Sequence, residues 1–200
     1  YKNSIMKDTI SIEREFQDQY FICKKFVCTC SETEDYRQKH AASVESDFLK
    51  SKTPTVGKDL YLIYLDYKQT GPFRIGLGYR VTYNTFIKFG QEENQLGEEY
   101  FRYVLPCGEF VVNTVKGPVS VIGPGWMDAF GAFEADPTMK HACSEGFYLN
   151  QYVKHVGEGT TNENDFVTRI IIRVSCRVAT TRKPESSIEQ EAPSKKQKCE

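Results

Sequence analysis

Seven cysteines and three histidines are the residues of this chain whose types suit metal ligation or nucleophilic attack. The cysteines are Cys23, Cys28, Cys30, Cys107, Cys143, Cys176 and Cys199. The densest group, Cys23-Lys-Lys-Phe-Val-Cys28-Thr-Cys30, lies in one extended apolar run. A zinc site needs two close pairs whose ligands converge from turns, and no second pair follows. His40, His141 and His155 are too dispersed to complete one. No metal and no cofactor is expected, and the cysteines read as small, reduced core hydrophobes, which suits a reducing compartment. Gly71-Pro72, Gly76 and Gly78 do not make a phosphate loop, because Gly76-Leu-Gly78 lies in a strand-like run with no following helix and Lys. Glycine there marks a bulge or a close backbone approach. No Ser-His-Asp arrangement and no closely spaced acid pair on one element is present. The residues carry no independent enzymatic signature, and no catalytic residue is assigned.

Composition limits the remaining functions. The 200 residues include 12 Tyr, 13 Phe and a single Trp, so aromatic surface is plentiful. Lys plus Arg is 26 against 27 Asp plus Glu, a net charge of -1. That balance argues against direct nucleic-acid binding, which needs a basic excess. No apolar run reaches the roughly 18 residues of a membrane span, and there is no secretory core. Residue 1 is Tyr rather than Met, so an upstream segment is expected. Protein partners are not legible.

These residues must be positioned by the following elements. Residues 1–17 read as a polar leader. YFICKKFVCTC, 20–30, reads as a strand. Residues 31–50 read as a helix, with Ser31 and Thr33 as N-caps and Tyr36, His40, Val44 and Phe48 as a thin apolar stripe. DLYLIYLDY, 59–67, is a strand, and 72–89 carries one or two more. Strands follow at 99–105 and 109–117, then a helix over 118–136 with Pro124 near its start. Strands at 143–155 and 166–178 close the pattern, the last one β-branched. Residues 179–200 lack an aromatic and read as a disordered tail. Its Pro193–Lys198 segment loosely resembles a basic nuclear signal. The expected location is intracellular, cytoplasmic or nuclear.

The order strand, helix, strand, strand occurs twice. Ile63-Tyr64-Leu65-Asp66 matches Phe147-Tyr148-Leu149-Asn150 at an offset of 84. Tyr79-Arg80-Val81 matches Ile172-Arg173-Val174 at an offset of 93. The expected fold is α+β, with a duplicated strand-helix-strand-strand unit. The two halves, 18–95 and 96–178, would pack on a pseudo-twofold axis with a central cleft.

KGPVSVIGPGWMDAFGAF, 116–133, followed by GFYLN, 146–150, resembles the gyrase-inhibitor-like (GyrI-like) effector-binding domain. The resemblance extends loosely over 18–178. It implies a small, amphipathic or aromatic ligand in the central cleft. It also implies that Trp126, Tyr64 and Tyr148 line that cleft. The glutamate of the family's Glu-x-Tyr strand falls on Gly146, with Glu145 one residue away, and a second family glutamate falls on Arg169. The acid that meets cationic ligands in the family is thus absent or displaced. Arg169 shares a strand face with Ile171 and Arg173, and either opens to the cleft or pairs with an acid such as Glu145 or Asp66. In the cleft it would shift preference toward neutral or anionic amphiphiles. The expected ligand-binding residues are Tyr64, Trp126, Tyr148, Arg169 and Glu145. The expected role is a stand-alone sensor, carrier or sequestering domain. The alternatives are a hydrolase of reactive electrophiles and a protein-interaction adaptor with a vestigial cleft. Convergence of an acid and a Tyr hydroxyl in the cleft separates the hydrolase from the binder.

Overall fold

A computed structural model describes residues 9–68, 70–89, 96–136, 138–141, 148–154 and 162–177. The elements are β1 (Ile10–Glu15), β2 (Gln19–Cys28), α1 (Thr33–Lys50), β3 (Leu60–Tyr64), β4 (Phe73–Val81) and α2 (Tyr83–Phe89). They continue with β5 (Tyr100–Leu105), β6 (Gly108–Lys116), α3 (Ile122–Ala135), β7 (Met139–His141), β8 (Tyr148–Lys154) and β9 (Val167–Arg177). The strands form antiparallel ladders in the order β1-β6-β9-β8-β3-β4-β2-β5, with β7 added beside β9. Among the described residues no helix is long and apolar enough to cross a membrane.

Strand alternation assigns the two faces of this sheet. Leu60, Leu62 and Tyr64 of β3 and Ile170, Ile172 and Val174 of β9 pack in the cluster that α1 and α3 cover. Tyr61 and Ile63 of β3 and Ile171 of β9 pack in a second cluster on the other face. That is why LYLIY of β3 is buried at every position and reads as one unbroken apolar run. Helix α1 lies over β4 and β2, and α3 over β6 and β9. Pro124 sits in the first turn of α3, where its missing N–H costs no helical bond.

The order is palindromic about the β8–β3 pair. The repeat is also close in residue number. Helices α1 and α3 start 89 residues apart (33 and 122), and so do the short 3-10 turns that lead into them (30 and 119). Strands β1 and β5 start 90 apart (10 and 100), and β3 and β8 start 88 apart (60 and 148). Leu60 pairs with Tyr79 and Tyr148 pairs with Ile172, so Tyr79 corresponds to Ile172, an offset of 93. The sequence match over 79–81 is therefore the structural one. The match at 84 is not: the 88-residue offset makes Tyr64 the counterpart of Tyr152, while Tyr64 and Tyr148 are cross-strand partners.

The leading strand of each half crosses to the other. β1 pairs with β6, and β5 pairs with β2. Yet only residues 16–18 separate β1 from β2, and only 106–107 separate β5 from β6. A connection of four residue steps reaches no more than about 14 Å. The sheet must therefore curl until its ends meet. The Cys107 N–H donates to Asp18 Oδ1 at 2.8 Å, joining the two connections. The second apolar cluster, with Phe21, Leu105, Phe110 and Leu149 drawn from distant strands, lies on the inside of the roll.

Three expectations differ from this structure. Residues 10–15 of the supposed leader form β1. Residues 83–89 form α2, not a strand, with Tyr83 and Phe86 against Tyr20 at 5.1 and 5.0 Å. The capping region starts earlier than Ser31: Glu32 Oε2 accepts the Thr29 N–H at 2.8 Å, and Thr33 Oγ1 donates to the Thr29 carbonyl. Gly76 and Gly78 mark close approach without a register shift. A Cβ at Gly78 would lie 2.1 Å from the Ile22 carbonyl oxygen, and one at Gly76 2.8 Å from Phe101. The tail 179–200 lies outside the described residues.

Candidate ligand-binding site

Between α1 and α3 the helix-side face of the sheet is the strip formed by β3 and β8. The sequences Leu60-Tyr-Leu-Ile-Tyr64 and Tyr148-Leu-Asn-Gln-Tyr152 alternate so that Tyr64, Tyr148, Asn150 and Tyr152 share that face. The axis of the repeat passes beside Asn150, whose cross-strand partner is Leu62. Asn150 is fully buried, an isolated amide in an apolar strip.

Aromatic rings wall it in. Trp126, at the start of the second turn of α3, lies edge-on to Tyr64 at 5.5 Å and to Tyr148 at 6.0 Å. Phe130, one turn along the same helix, meets Tyr148 at 5.7 Å. Tyr67 closes the side, 6.0 Å from Tyr64 and 6.3 Å from Tyr148. Such edge-on pairs contribute about 0.5–1.5 kcal/mol each beyond area burial.

The floor is a polar chain. Tyr152 donates its hydroxyl proton to Glu34 Oε1. Its oxygen therefore accepts from Asn150 Nδ2 at 3.3 Å, which fixes the amide orientation. Asn150 Nδ2 makes a longer 3.5 Å contact to the Tyr64 hydroxyl. Glu34 Oε2 accepts from Arg37 Nε at 2.6 Å, an i,i+3 pair in the first turns of α1. The buried Arg37 guanidinium also lies over the Tyr152 ring at 4.6 Å. Burial pushes the Tyr64 and Tyr152 phenols well above their ordinary value, and the Glu34 charge adds to it. Both stay neutral donors at ordinary pH.

Among the described residues, two polar atoms in this box have no partner. The Asn150 Oδ1 and the Trp126 Nε1 are buried and unbonded. One is an acceptor and the other a donor, and each unmet group costs about 1–3 kcal/mol.

Of the residues expected from the sequence, Tyr64, Trp126 and Tyr148 come together here. Arg169 does not. It lies on the inner face of the roll with Ile171, because it is an odd step from the helix-facing Ile170 and Ile172. Its partners are Glu13 at 2.5 Å and Gln151 at 2.9 Å. The other suggested acid, Asp66, is held by Arg74 at 2.9 Å. Arg169 therefore stands on the opposite face of the sheet from Tyr64 and Tyr148 and pairs with an acid, Glu13 in place of the suggested Glu145 or Asp66. Glu145 lies outside the described residues. The carboxylate that does reach the cluster is Glu34, arriving from α1. Asn150, Tyr152, Glu34 and Arg37 were not singled out from sequence. The signal available was Tyr148-x-Asn150-x-Tyr152, a polar residue at strand spacing between two tyrosines.

No family model and no curated protein matches this sequence. Solved structures do. The EcmrR–DNA complex aligns with a TM-score of 0.64 at 14% identity, over 88% of this chain and 61% of that one. This chain thus spans about three-fifths of the EcmrR chain. The EcmrR C-terminal domain by itself aligns at 0.62 and 14%, over 84% and 97%. SAV2435 bound to tetraphenylphosphonium aligns at 0.56 and 10%, over 82% and 93%. A hydrolase from Listeria innocua aligns at 0.50 and 10%, over 87% and 95%. The ladders define one rolled antiparallel sheet in which each helix, α1 and α3, is preceded by two strands and followed by two more of the main path. That is the GyrI-like effector-binding fold.

Proposed function

We propose that the chain binds a small, flat, amphipathic aromatic molecule between α1, α3 and the β3–β8 strip, as a sensor, carrier or sequestering domain. The observation that carries this is the unpaired Trp126 N–H and Asn150 Oδ1 inside one aromatic box. A ligand with an acceptor and a donor on one edge satisfies both while its faces meet Tyr64 and Tyr148. The Arg37–Glu34 pair leaves the floor without net charge, so neutral aromatics are favoured over anions. The ligand-bound SAV2435 structure supports the general role. The near-zero net charge argues that this chain itself does not hold DNA. Cys23 and Cys28 are buried, whereas Cys30 and Cys107 are exposed rather than core residues; free thiols at the surface fit a reducing compartment.

The test is calorimetric titration with 2-quinolinone, a neutral lactam carrying both groups, beside tetraphenylphosphonium. Trp126→Phe keeps the wall and removes the N–H. It should weaken 2-quinolinone about tenfold, or 1.4 kcal/mol, without lowering Tm. No saturable binding of either probe, or unchanged binding in Trp126→Ala, overturns the reading.

The convergence of the Tyr152 hydroxyl on Glu34 favours a second reading, hydration of an electrophile such as an epoxide. Tyr152 would protonate the opening oxygen and Glu34 would take a proton from the attacking water. It ranks second because both Glu34 oxygens already accept hydrogen bonds. Mass spectrometry of styrene oxide incubated with the protein decides it: a diol formed by the native chain and lost in Glu34→Gln would promote this reading.

A further inference from the structure

The inside of the roll holds a cavity of about 250 Å³, on the opposite face of the sheet from the aromatic box. All eight strands of the main path contribute to its wall. Its floor is apolar, with Leu105, Phe110, Val112 and Ile171. Its rim is charged, with Glu13, Glu15, Asp59, Arg80 and Arg169.

The charges are not all balanced. Arg169 is neutralised by Glu13. Among the described residues Asp59 accepts a neutral bond, from Gln151 Nε2 at 2.6 Å, and makes no ion pair. Arg80 Nε is buried with no hydrogen-bond partner. Glu15 has no ion pair among the described residues. The buried Tyr61 ring reaches between these charges, and its hydroxyl feels Arg80, Asp59, Arg169 and Glu15 together. Arg80, Asp59 and Glu15, none of them in an ion pair among the described residues, thus line one small chamber with the apolar side chains of its floor.

The repeat gives an internal comparison. The counterpart of Glu13 is Tyr103, that of Ser11 is Phe101, and that of Arg169 is Gly76. At that end Phe101 fills the space, lying 2.8 Å from where a Gly76 Cβ would be. Tyr103 packs on Phe21 at 6.2 Å. The same scaffold is plugged by aromatics at one end of the roll and left hollow and charged at the other.

We propose that this cavity is a second ligand site, for a free α-amino acid with an apolar side chain. The carboxylate meets Arg80, the ammonium meets Glu15 and Asp59, and the side chain enters the Leu105–Phe110–Ile171 floor. The volume falls below the roughly 300–1,000 Å³ of drug-sized sites and suits a metabolite of that scale. This inference is independent of the aromatic box.

Titration calorimetry on the full chain tests it, with L-leucine and L-phenylalanine as probes. Saturable binding is expected for at least one. N-acetyl-L-leucine lacks the ammonium and L-leucinamide lacks the carboxylate, and each should bind at least tenfold more weakly than L-leucine. Arg80→Gln and Glu15→Gln, if natively folded by thermal melt, should each weaken L-leucine at least tenfold, and Trp126→Phe should leave it unchanged. The proposal is overturned if neither amino acid binds by about 10 mM. It is equally overturned if both capped analogues match L-leucine, an arm that needs no variant. Tight binding that survives both Arg80→Gln and Glu15→Gln would also refute it.

Discussion

Tyr152 takes part in three interactions of the aromatic box: it accepts from Asn150, donates to Glu34 and lies under Arg37. Tyr152→Phe should cost about 1–3 kcal/mol, the penalty of leaving buried polar groups unmet, seen as a lower urea midpoint with unchanged slope. Buried phenols also set the alkaline limit. Burial pushes Tyr61 up to about 12, against the pull of Arg80 and with Asp59 adding. It also raises Tyr64, Tyr100, Tyr103 and Tyr152. In the unfolded chain each titrates near 10. Below that, both states hold the proton; above it, only the folded state does. Stability is therefore whole below about pH 10 and lost as pH rises toward 12 and beyond. The 295 nm absorbance step of these buried tyrosines, beyond that of exposed rings such as Tyr83, should coincide with unfolding; that step in a still-folded chain would contradict these burials. At this scale the sequence was partly readable. Trp126, Tyr64 and Tyr148 stood out by type and by resemblance. Glu34 looked like an ordinary first-turn acid, because nothing local shows that α1 starts above β8. Arg169 was given its correct face-mates, Ile171 and Arg173, but a two-residue period cannot say which face the helices cover.

Two glycines on α3 with opposite surroundings test how the helix meets the sheet. A Cβ at Gly125 would lie 2.7 Å from Val115 Cγ1 and 2.8 Å from Ile170 Cδ1, and the Gly125 carbonyl accepts from Asn113 Nδ2 at 2.8 Å. Gly125→Ala should cost about 1–3 kcal/mol by overpacking. Gly131, six residues on, has nothing within 4 Å of its Cβ position. Gly131→Ala should gain about 0.5–1 kcal/mol from helix propensity. Paired thermal melts read both, and two changes of the same sign would mean α3 is docked differently. Most elements were legible: β3 and β9 by their apolar, β-branched composition, and α1 by the four-residue spacing of Tyr36, His40, Val44 and Phe48. β1 was not, because an edge strand carrying Ser11, Glu13, Arg14 and Glu15 resembles a solvated leader. α2 was read as strand because Tyr83, Phe86 and Phe89 are β-favouring types. Their three-residue spacing, with Tyr83 and Phe86 both on Tyr20, was the overlooked helical signal.

Exchange of β1 and β5 makes each half depend on the other for an edge strand. Fragments 1–95 and 96–200 should therefore be aggregated or molten alone and recover a cooperative melt when co-expressed. A cooperative transition in either lone fragment would count against the exchange. The repeat was legible through the 79–81 match, but the crossing of the leading strands was not. It depends on which ladder closes across the roll, and no residue type encodes that. The exchange also sets a timetable during synthesis. Ile10 pairs with Asn113, 103 residues later in the chain. At a ribosomal pace of about 5–20 residues per second, β1 waits about 5–20 s for its neighbour to be made. Throughout that interval the first half is a nascent sheet lacking one partner at β1 and another at β2. On a crowded polysome, a neighbouring nascent chain could supply either. Faster translation of the 90–116 region would shorten that exposure and raise the yield of monomer.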